Sequence, residues 1–87
     1  MKLYGRLMKE NYALVECDVE NNDGDETFHQ RLEKCFVNLC RDLDVSVPIW
    51  IDRNTTEFAC FRKTYFTADQ FIDKVRFERL QIQLEDY

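Results

Sequence analysis

The sequence predicts a small two-layer α+β domain, in which an N-terminal β-hairpin and a C-terminal strand share one sheet and helices pack on one face. Apolar and polar side chains alternate near both ends of the chain, which is the pattern of half-buried strands. The middle of the chain repeats its apolar residues at helical spacing. The 87 residues are 45% hydrophobic with two Gly and one Pro, so we expect a single domain over 1–87.

The two runs that open the chain predict a β-hairpin around residues 10–12. A two-residue connection would pair residue 9 with residue 12 and mix apolar and polar side chains on each face. A three-residue connection pairs Lys9 with Ala13 and keeps the faces distinct, so we expect that register. The apolar face would then consist of Leu3, Leu7, Ala13, Val15, Cys17 and Val19.

The opposite face of this hairpin would show Tyr4, Met8 and Leu14 among charged side chains. Such a face is more apolar than contact with solvent requires. A homodimer contact through Tyr4, Met8 and Leu14, or a loop that covers them, would account for it.

The first predicted helix runs from about residue 26 to about residue 43, after an acidic turn. Its apolar residues cover an arc of ~100°, as expected for a helix that packs on a sheet. Asp25 is the expected N-cap, since a carboxylate there accepts backbone N–H groups and suits the positive end of the helix. The predicted buried stripe is Phe28, Leu32, Cys35, Phe36, Leu39 and Leu43.

Two shorter helices are expected later in the chain, each opened by a capping box. The box at 54–57 opens a helix to about residue 62, and the box at 67–70 opens a helix over about 68–75. The intervening residues 63–66 are expected to be extended or a loop. The apolar segment 49–51 is a short strand or a buried loop, with Trp50 as a core anchor.

The last predicted element is a strand over 77–85, where Leu80, Ile82 and Leu84 alternate with polar residues. An isolated two-stranded sheet is marginally stable, so this strand is expected to join the hairpin. The predicted order is therefore β-β-α-α-α-β, which is an α+β arrangement.

Several short segments, spread over most of the chain, resemble a group of small single-domain bacterial proteins that form a domain of unknown function. The resemblance implies a cytoplasmic bacterial protein and carries no activity, ligand or catalytic residue. The matching segments are Lys2-Leu3-Tyr4-Gly5, Pro48-Ile49-Trp50-Ile51, Glu57-Phe58, Lys63-Thr64-Tyr65-Phe66-Thr67, Phe71-Ile72 and Leu80-Gln81-Ile82-Gln83.

Charge and hydropathy exclude several classes of protein. The chain has 12 Lys and Arg against 17 Asp and Glu, and this acidic balance disfavours bulk binding to nucleic acid. Uninterrupted apolar runs reach only four residues, as in 58–61, whereas a membrane span needs ~20. The start of the chain lacks the apolar core of a signal peptide. We therefore expect a cytoplasmic protein whose four cysteines are reduced.

Tests for catalytic and metal-binding motifs predict a protein that is not an enzyme and holds no cofactor. The cysteines lack the Cys-x-x-Cys spacing typical of structural zinc sites. An EF-hand loop centred on Gly24 would place Val19 and Gln30 where acids are required. The single histidine, His29, has no nucleophile at a recognisable spacing, and two isolated glycines build no phosphate-binding loop. His29 and Glu33 are four residues apart and could share an ion, but such pairs are common.

One segment, 53–66, combines basic and aromatic residues. Such a combination most often reflects core aromatics beside solvated bases, and it also suits a protein contact or, less well, a single-stranded nucleic acid. The most favoured function is a non-catalytic protein-interaction or regulatory module, and the alternative is a weak nucleic-acid-binding accessory protein. The predicted contact residues are Trp50, Arg53, Arg62, Lys63 and Tyr65.

Overall fold

The computed structural model describes residues 1–85 as an antiparallel four-stranded sheet with two α-helices. The sheet order is β2-β1-β4-β3, so the C-terminal strand pairs with the hairpin as expected, and the α+β class is confirmed. The elements are β1 (Lys2–Lys9), β2 (Tyr12–Glu20), α1 (Phe28–Asp42), α2 (Asp52–Phe61), β3 (Lys63–Thr67), a 3-10 turn (Ala68–Gln70) and β4 (Arg79–Leu84).

The predicted three-residue connection of the hairpin is wrong. Lys9 pairs with Tyr12, so only Glu10 and Asn11 lie between the strands, and Glu10 has a positive φ of 55°. The predicted register is nevertheless present between Lys2 and Leu7, where Leu7 pairs with Val15 and Lys2 pairs with Glu20. A β-bulge supplies the additional residue and restores the separation of the two faces.

The bulge lies beside Leu14. Leu7 pairs with Val15 while Met8 pairs with Ala13, so Leu14 is the extra residue of β2. Met8, which was expected on the solvent side, is only 6% exposed within one chain, whereas Leu14 remains 51% exposed. The hydroxyl of Tyr4 donates to the carboxylate of Glu16. Dimerisation through this face stays a prediction, with Leu14 as its exposed apolar residue.

Helix α1 is held over the sheet by its buried residues Cys35, Phe36, Leu39 and Cys40. These meet the inward side chains of β1 and β4 in one core. Gly5 allows the closest approach, because a Cβ atom built there would lie 2.6 Å from Leu39 Cδ2.

Helix α1 begins two residues later than predicted, and Asp25 is not its N-cap. Thr27 caps the helix instead through a reciprocal box with Gln30, in which the Gln30 N–H donates to Thr27 Oγ1 at 3.2 Å and the Thr27 N–H donates to Gln30 Oε1 at 2.9 Å. Phe28 follows the cap directly and is 48% exposed. The predicted buried stripe is therefore correct towards the C-terminal half of α1 and wrong at its first residue.

The third predicted helix, over 68–75, is wrong. Half of its capping box is present, since the Thr67 N–H donates to Gln70 Oε1 at 2.9 Å, but Thr67 makes no side-chain cap bond and only the 3-10 turn comes after it. Phe71 then takes an extended conformation and packs edge-on against Phe77, with 5.1 Å between ring centroids. Burial of these two rings takes the place of a longer helix. Residues 63–66, which were expected to be extended or a loop, belong to strand β3, which the sequence did not predict as a separate strand.

Candidate functional site: an aromatic groove between the two helices

A groove of about 410 Å³ lies between α1 and α2. Helix α1 contributes Phe28, Leu32 and Phe36, which repeat every four residues and so lie on one face of the helix. Apart from the rim, the lining is apolar and largely aromatic, which is typical of a binding site. The lining residues are Phe28, His29, Leu32, Glu33, Phe36, Trp50, Thr55, Phe58 and Ala59.

Trp50 connects this groove to the core. Its ring lies 5.8 Å from that of Phe36, 5.9 Å from that of Phe58 and 5.4 Å from that of Phe66, measured between centroids. Its indole N–H donates to Thr55 Oγ1 at 2.8 Å. Trp50 is half-buried, so it is a core anchor on one side, as expected, and a wall of the groove on the other. The segment 49–51 is a loop.

The polar groups at the rim are few. His29 and Glu33 lie one turn apart on α1, with 3.9 Å between Nε2 and the carboxylate, and both are well exposed. Thr55 on the α2 side already accepts the indole hydrogen bond. The groove therefore offers apolar burial with one acidic group at its edge.

Arg53, predicted to contact a partner, is engaged within the chain. Its guanidinium lies 4.2 Å from the centroid of the Tyr65 ring and donates to Glu57 at 2.8 Å, to the carbonyl of Tyr65 at 3.1 Å and to Gln70 at 3.0 Å. These bonds join α2 to β3. Contact of Arg53 with a partner stays a prediction.

The remaining predicted contact residues lie away from the groove. Lys63 and Tyr65 line a shallow hollow of about 170 Å³ together with Phe61, which is 67% exposed. Arg62 ends α2 in the left-handed conformation, at φ 59°. The hollow shares no lining residue with the groove, so the structure places Trp50 at one depression and Lys63 and Tyr65 at another.

A buried polar group that sequence analysis missed fixes the position of α2. Asn54 is fully buried, and its side chain accepts the Ile51 N–H at 3.0 Å and the Gln70 amide at 3.0 Å. The same side chain donates to Thr64 Oγ1 and to the Tyr65 carbonyl, each at 2.8 Å. The capping motif predicted at 54–57 therefore lies one turn inside α2, with Asn54 at the third helical position.

The cysteines do not form a reactive centre with the groove. Cys35 and Cys40 are buried in the core, Cys17 is half-buried on β2, and Cys60 is exposed on α2. Burial raises the pKa of Cys40 to about 12. Burial, followed by the nearby Asp42 carboxylate, also raises the pKa of Cys17. Among residues 1–85, no three His, Cys, Asp or Glu side chains come close enough to hold a metal ion.

Phe28 is the groove residue that sequence analysis assigned wrongly. The Thr27-x-x-Gln30 spacing was the available signal, because a capping box there starts the helix at residue 28 and places Phe28 in its first turn. A first-turn residue lies at the edge of the layer that packs on the sheet, where burial is incomplete.

Comparison with family models, curated proteins and solved structures found no match to this chain. The resemblance to small bacterial proteins therefore stays a prediction. None of the helices within residues 1–85 is long and apolar enough to cross a bilayer.

Proposed function

We propose that this protein is a non-catalytic interaction module that binds a partner protein by accepting an apolar anchor side chain in the groove between α1 and α2. The observation that carries the proposal is the exposure of Phe28, which presents about half of its surface at the wall of an aromatic groove. Partially exposed aromatic residues around a pocket are typical of the positions that dominate binding energy at protein interfaces.

The chemistry of the groove favours an apolar occupant. The indole N–H of Trp50 is already bonded to Thr55, so it is not available to donate to a ligand. Glu33 lies at the rim and favours a basic residue next to the anchor. A short amphipathic segment with aromatic or branched anchors and a flanking Lys or Arg meets both conditions, and helix-in-groove recognition of this kind is common.

The structure weakens the basis of the nucleic-acid alternative. Phe58 and Phe66 of the basic and aromatic segment are buried, so they offer no face on which a base could stack. The guanidinium of Arg53 is occupied by Glu57, Tyr65 and Gln70. The basic and aromatic residues of that segment that remain exposed are Phe61, Arg62, Lys63 and Tyr65. Arg53 covers one face of the Tyr65 ring, so little aromatic surface is left for stacking.

The fluorescence of Trp50, the only tryptophan, provides a direct test. The probe is a 15-residue amphipathic peptide with Leu and Phe anchors at helical spacing and flanking Lys. We expect a saturable blue shift, because an anchor in the groove excludes water from the exposed side of the ring. The same peptide with Ser at every anchor position is expected to cause no shift.

Phe28→Ser and Ile72→Ser form a matched pair of variants for this test. Phe28 lines the groove, whereas Ile72 is 86% exposed and does not line it. We expect Phe28→Ser to weaken binding about tenfold or more, because a buried aromatic side chain is lost, and Ile72→Ser to leave it unchanged. Equal effects of the two variants would contradict the proposal. A saturable shift of Trp50 fluorescence with cyclohexanol but none with the peptide would identify a small-molecule pocket instead.

A further inference from the structure

Strand β2 lies at one end of the sheet, next to β1. It is nine residues long, and each of its residues is exposed or half-buried. On the helix side of the sheet, Val15 is exposed, while Cys17 and Val19 pack partly against the core.

The backbone pattern shows which residues of β2 direct their N–H and C=O groups away from the sheet. On β1, the carbonyls of Lys2 and Met8 accept N–H groups from Glu85 and Glu78, on the β4 side, whereas the carbonyl of Met1 accepts the Asn21 N–H, on the β2 side. Backbone groups alternate in direction along a strand. Even-numbered residues of β1 therefore face β4, and odd-numbered residues face β2.

The register then assigns the outward groups of β2. Leu3, Gly5 and Leu7 face Val19, Cys17 and Val15, which use their backbone groups towards β1. The residues that alternate with Val15, Cys17 and Val19 direct their backbone N–H and C=O groups away from β1. These are Glu16, Asp18 and Glu20.

Side chains cover the opposite edge of the sheet, whereas on β2, within residues 1–85, the outward Asp18 carbonyl has only a weak contact from Cys17 Sγ at 3.6 Å. The outward carbonyl of Tyr65 on β3 accepts from Asn54 and Arg53, and the outward N–H of Thr67 donates to Gln70 at 2.9 Å. Covering an edge with side chains is one of the ways in which proteins prevent unwanted strand pairing. Helix α2 and the turn after β3 do this for β3.

The charge along the β2 edge indicates what it would accept. Residues 16–26 contain six acids and no Lys or Arg. From residue 15 onward, the residues of β2 with outward backbone groups are all acidic. Their side chains project on the face of the sheet opposite the helices, where Lys2 lies 3.6 Å from Asp18 and offsets part of the negative charge. A second copy, related by a two-fold axis perpendicular to the sheet, would place acids opposite acids, and like charges directly opposite destabilise a strand pair.

We propose that the β2 edge binds an extended segment of a partner protein as an added fifth strand, with basic and apolar residues alternating along that segment. Its basic residues would lie beside Glu16, Asp18 and Glu20, and its apolar residues would lie on the helix side beside Val15 and Cys17. Strand addition of this kind obtains affinity from backbone hydrogen bonds and specificity from alternate side chains. This inference is independent of the helix groove, because it uses none of the groove residues.

The probe for this proposal is a ten-residue peptide of alternating Lys and Val, labelled with a fluorophore. We expect saturable binding at 100 mM salt, together with slower amide hydrogen exchange at Glu16, Asp18 and Glu20. The control peptide alternates Lys and Pro, so it carries the same charge but has no N–H at every second residue. Equal affinity for the two peptides, or unchanged exchange at the three amides, would overturn the proposal.

Two triple variants distinguish binding at the β2 edge from non-specific attraction of a basic peptide to an acidic protein. The first neutralises the edge with Glu16→Gln, Asp18→Asn and Glu20→Gln. The second removes the same charge from exposed acids elsewhere, with Asp44→Asn, Asp52→Asn and Asp73→Asn. We expect at least a tenfold loss of affinity for the first and less than a threefold loss for the second. Equal losses would overturn the proposal, and Phe28→Ser is expected to leave this binding unchanged.

Discussion

Gly5 lies in the middle of β1 beneath α1, and the absence of a side chain there sets how closely the helix approaches the sheet. Leu39, which fills that space, is fully buried. The chain has only one other glycine, Gly24, in the turn before α1, and nothing lies within 4 Å of the Cβ position there. A methyl group would therefore clash with Leu39 at Gly5 but would have free space at Gly24.

Gly5→Ala is expected to destabilise the fold by about 1–3 kcal/mol, the range typical of an overpacked core. The new methyl group would lie 2.6 Å from Leu39 Cδ2, so Leu39 or the helix must shift. Urea denaturation followed by circular dichroism gives the change in free energy of unfolding. Gly24→Ala is the control and is expected to be neutral or slightly stabilising. A neutral Gly5→Ala would show that the core tolerates the shift.

Capping motifs act at the scale of the element, and in this protein their effect depends on how the next residues pack. The Thr27 box opens fifteen residues of helix, and those residues bury a continuous face on the sheet. At Thr67 only the return bond is made, in which the Thr67 N–H donates to Gln70 Oε1 at 2.9 Å, and a single 3-10 turn follows. The Gln70 amide donates instead to the Ile49 carbonyl and to Asn54 Oδ1. A cap fixes where a helix can begin, while packing of the subsequent residues decides whether it continues.

Thr27→Ala is expected to lower the free energy of unfolding by about 1 kcal/mol, since the N–H of Gln30 loses its acceptor. Asp25→Ala is the matched control, because Asp25 lies in the same turn and was the N-cap expected from sequence. We expect that variant to leave stability within about 0.5 kcal/mol of the original protein. Thermal denaturation of both variants at pH 7 makes the comparison, and a larger loss for Asp25→Ala would reverse the assignment of the cap.

At the scale of the whole molecule, the last described strand completes the fold, because β4 lies between β1 and β3. Its inward residues Leu80, Ile82 and Leu84 join the core beneath α1. Cys40 lies in that core with no exposed surface, and its surroundings keep the thiol neutral. The free energy of unfolding at alkaline pH therefore depends on the Cys40 thiol, which burial in the core keeps protonated.

The free energy of unfolding is expected to fall as pH rises from 8 to 10, by about 1 kcal/mol through Cys40 alone. The pKa of Cys40 is about 12 in the folded protein, against 9.0 for an ordinary cysteine, so the unfolded chain loses this proton first. The contribution is fully present below pH 9 and is lost as pH approaches 12. Urea denaturation at each pH measures it.

Cys40→Ala is expected to reduce this pH dependence, even though the variant is less stable overall. Cys60→Ala, at an exposed cysteine of α2, is the control and is expected to keep the full dependence. The assignment to Cys40 would be wrong if both variants kept the same slope.

Local patterns in the sequence identified the strands and the helix whose apolar residues recur at a regular spacing. Period-two alternation identified β1, β2 and β4, and helical spacing identified α1, because each pattern reflects burial of one face of a regular element. The same reasoning left residues 63–66 as either extended or a loop and so did not assign β3, whose residues alternate over only five positions and pair only with β4. It also placed Phe28 in the core, since periodicity does not reveal where the opposing layer ends.

Sequence analysis predicted only part of the candidate site. Trp50 was identified as a contact residue and lines the groove, although its predicted companions Arg53, Lys63 and Tyr65 lie elsewhere. Aromatic and basic residue types suggest contact, but they do not distinguish a guanidinium exposed to a partner from one bonded to Glu57 and stacked on Tyr65. That distinction depends on which residues meet across the fold.

Hydrophobic periodicity was sufficient to predict the α+β class, three of the four strands and the pairing of the C-terminal strand with the hairpin, because it is a local property of the chain. Four further features emerged only from the folded arrangement. They are the bulge at Leu14, the termination of the helix predicted after Thr67, the groove between α1 and α2, and the contrast between the two edges of the sheet. The bulge and the end of the helix depend on how neighbouring segments pair and pack. The groove and the contrast between the two edges result from contacts between residues distant in sequence.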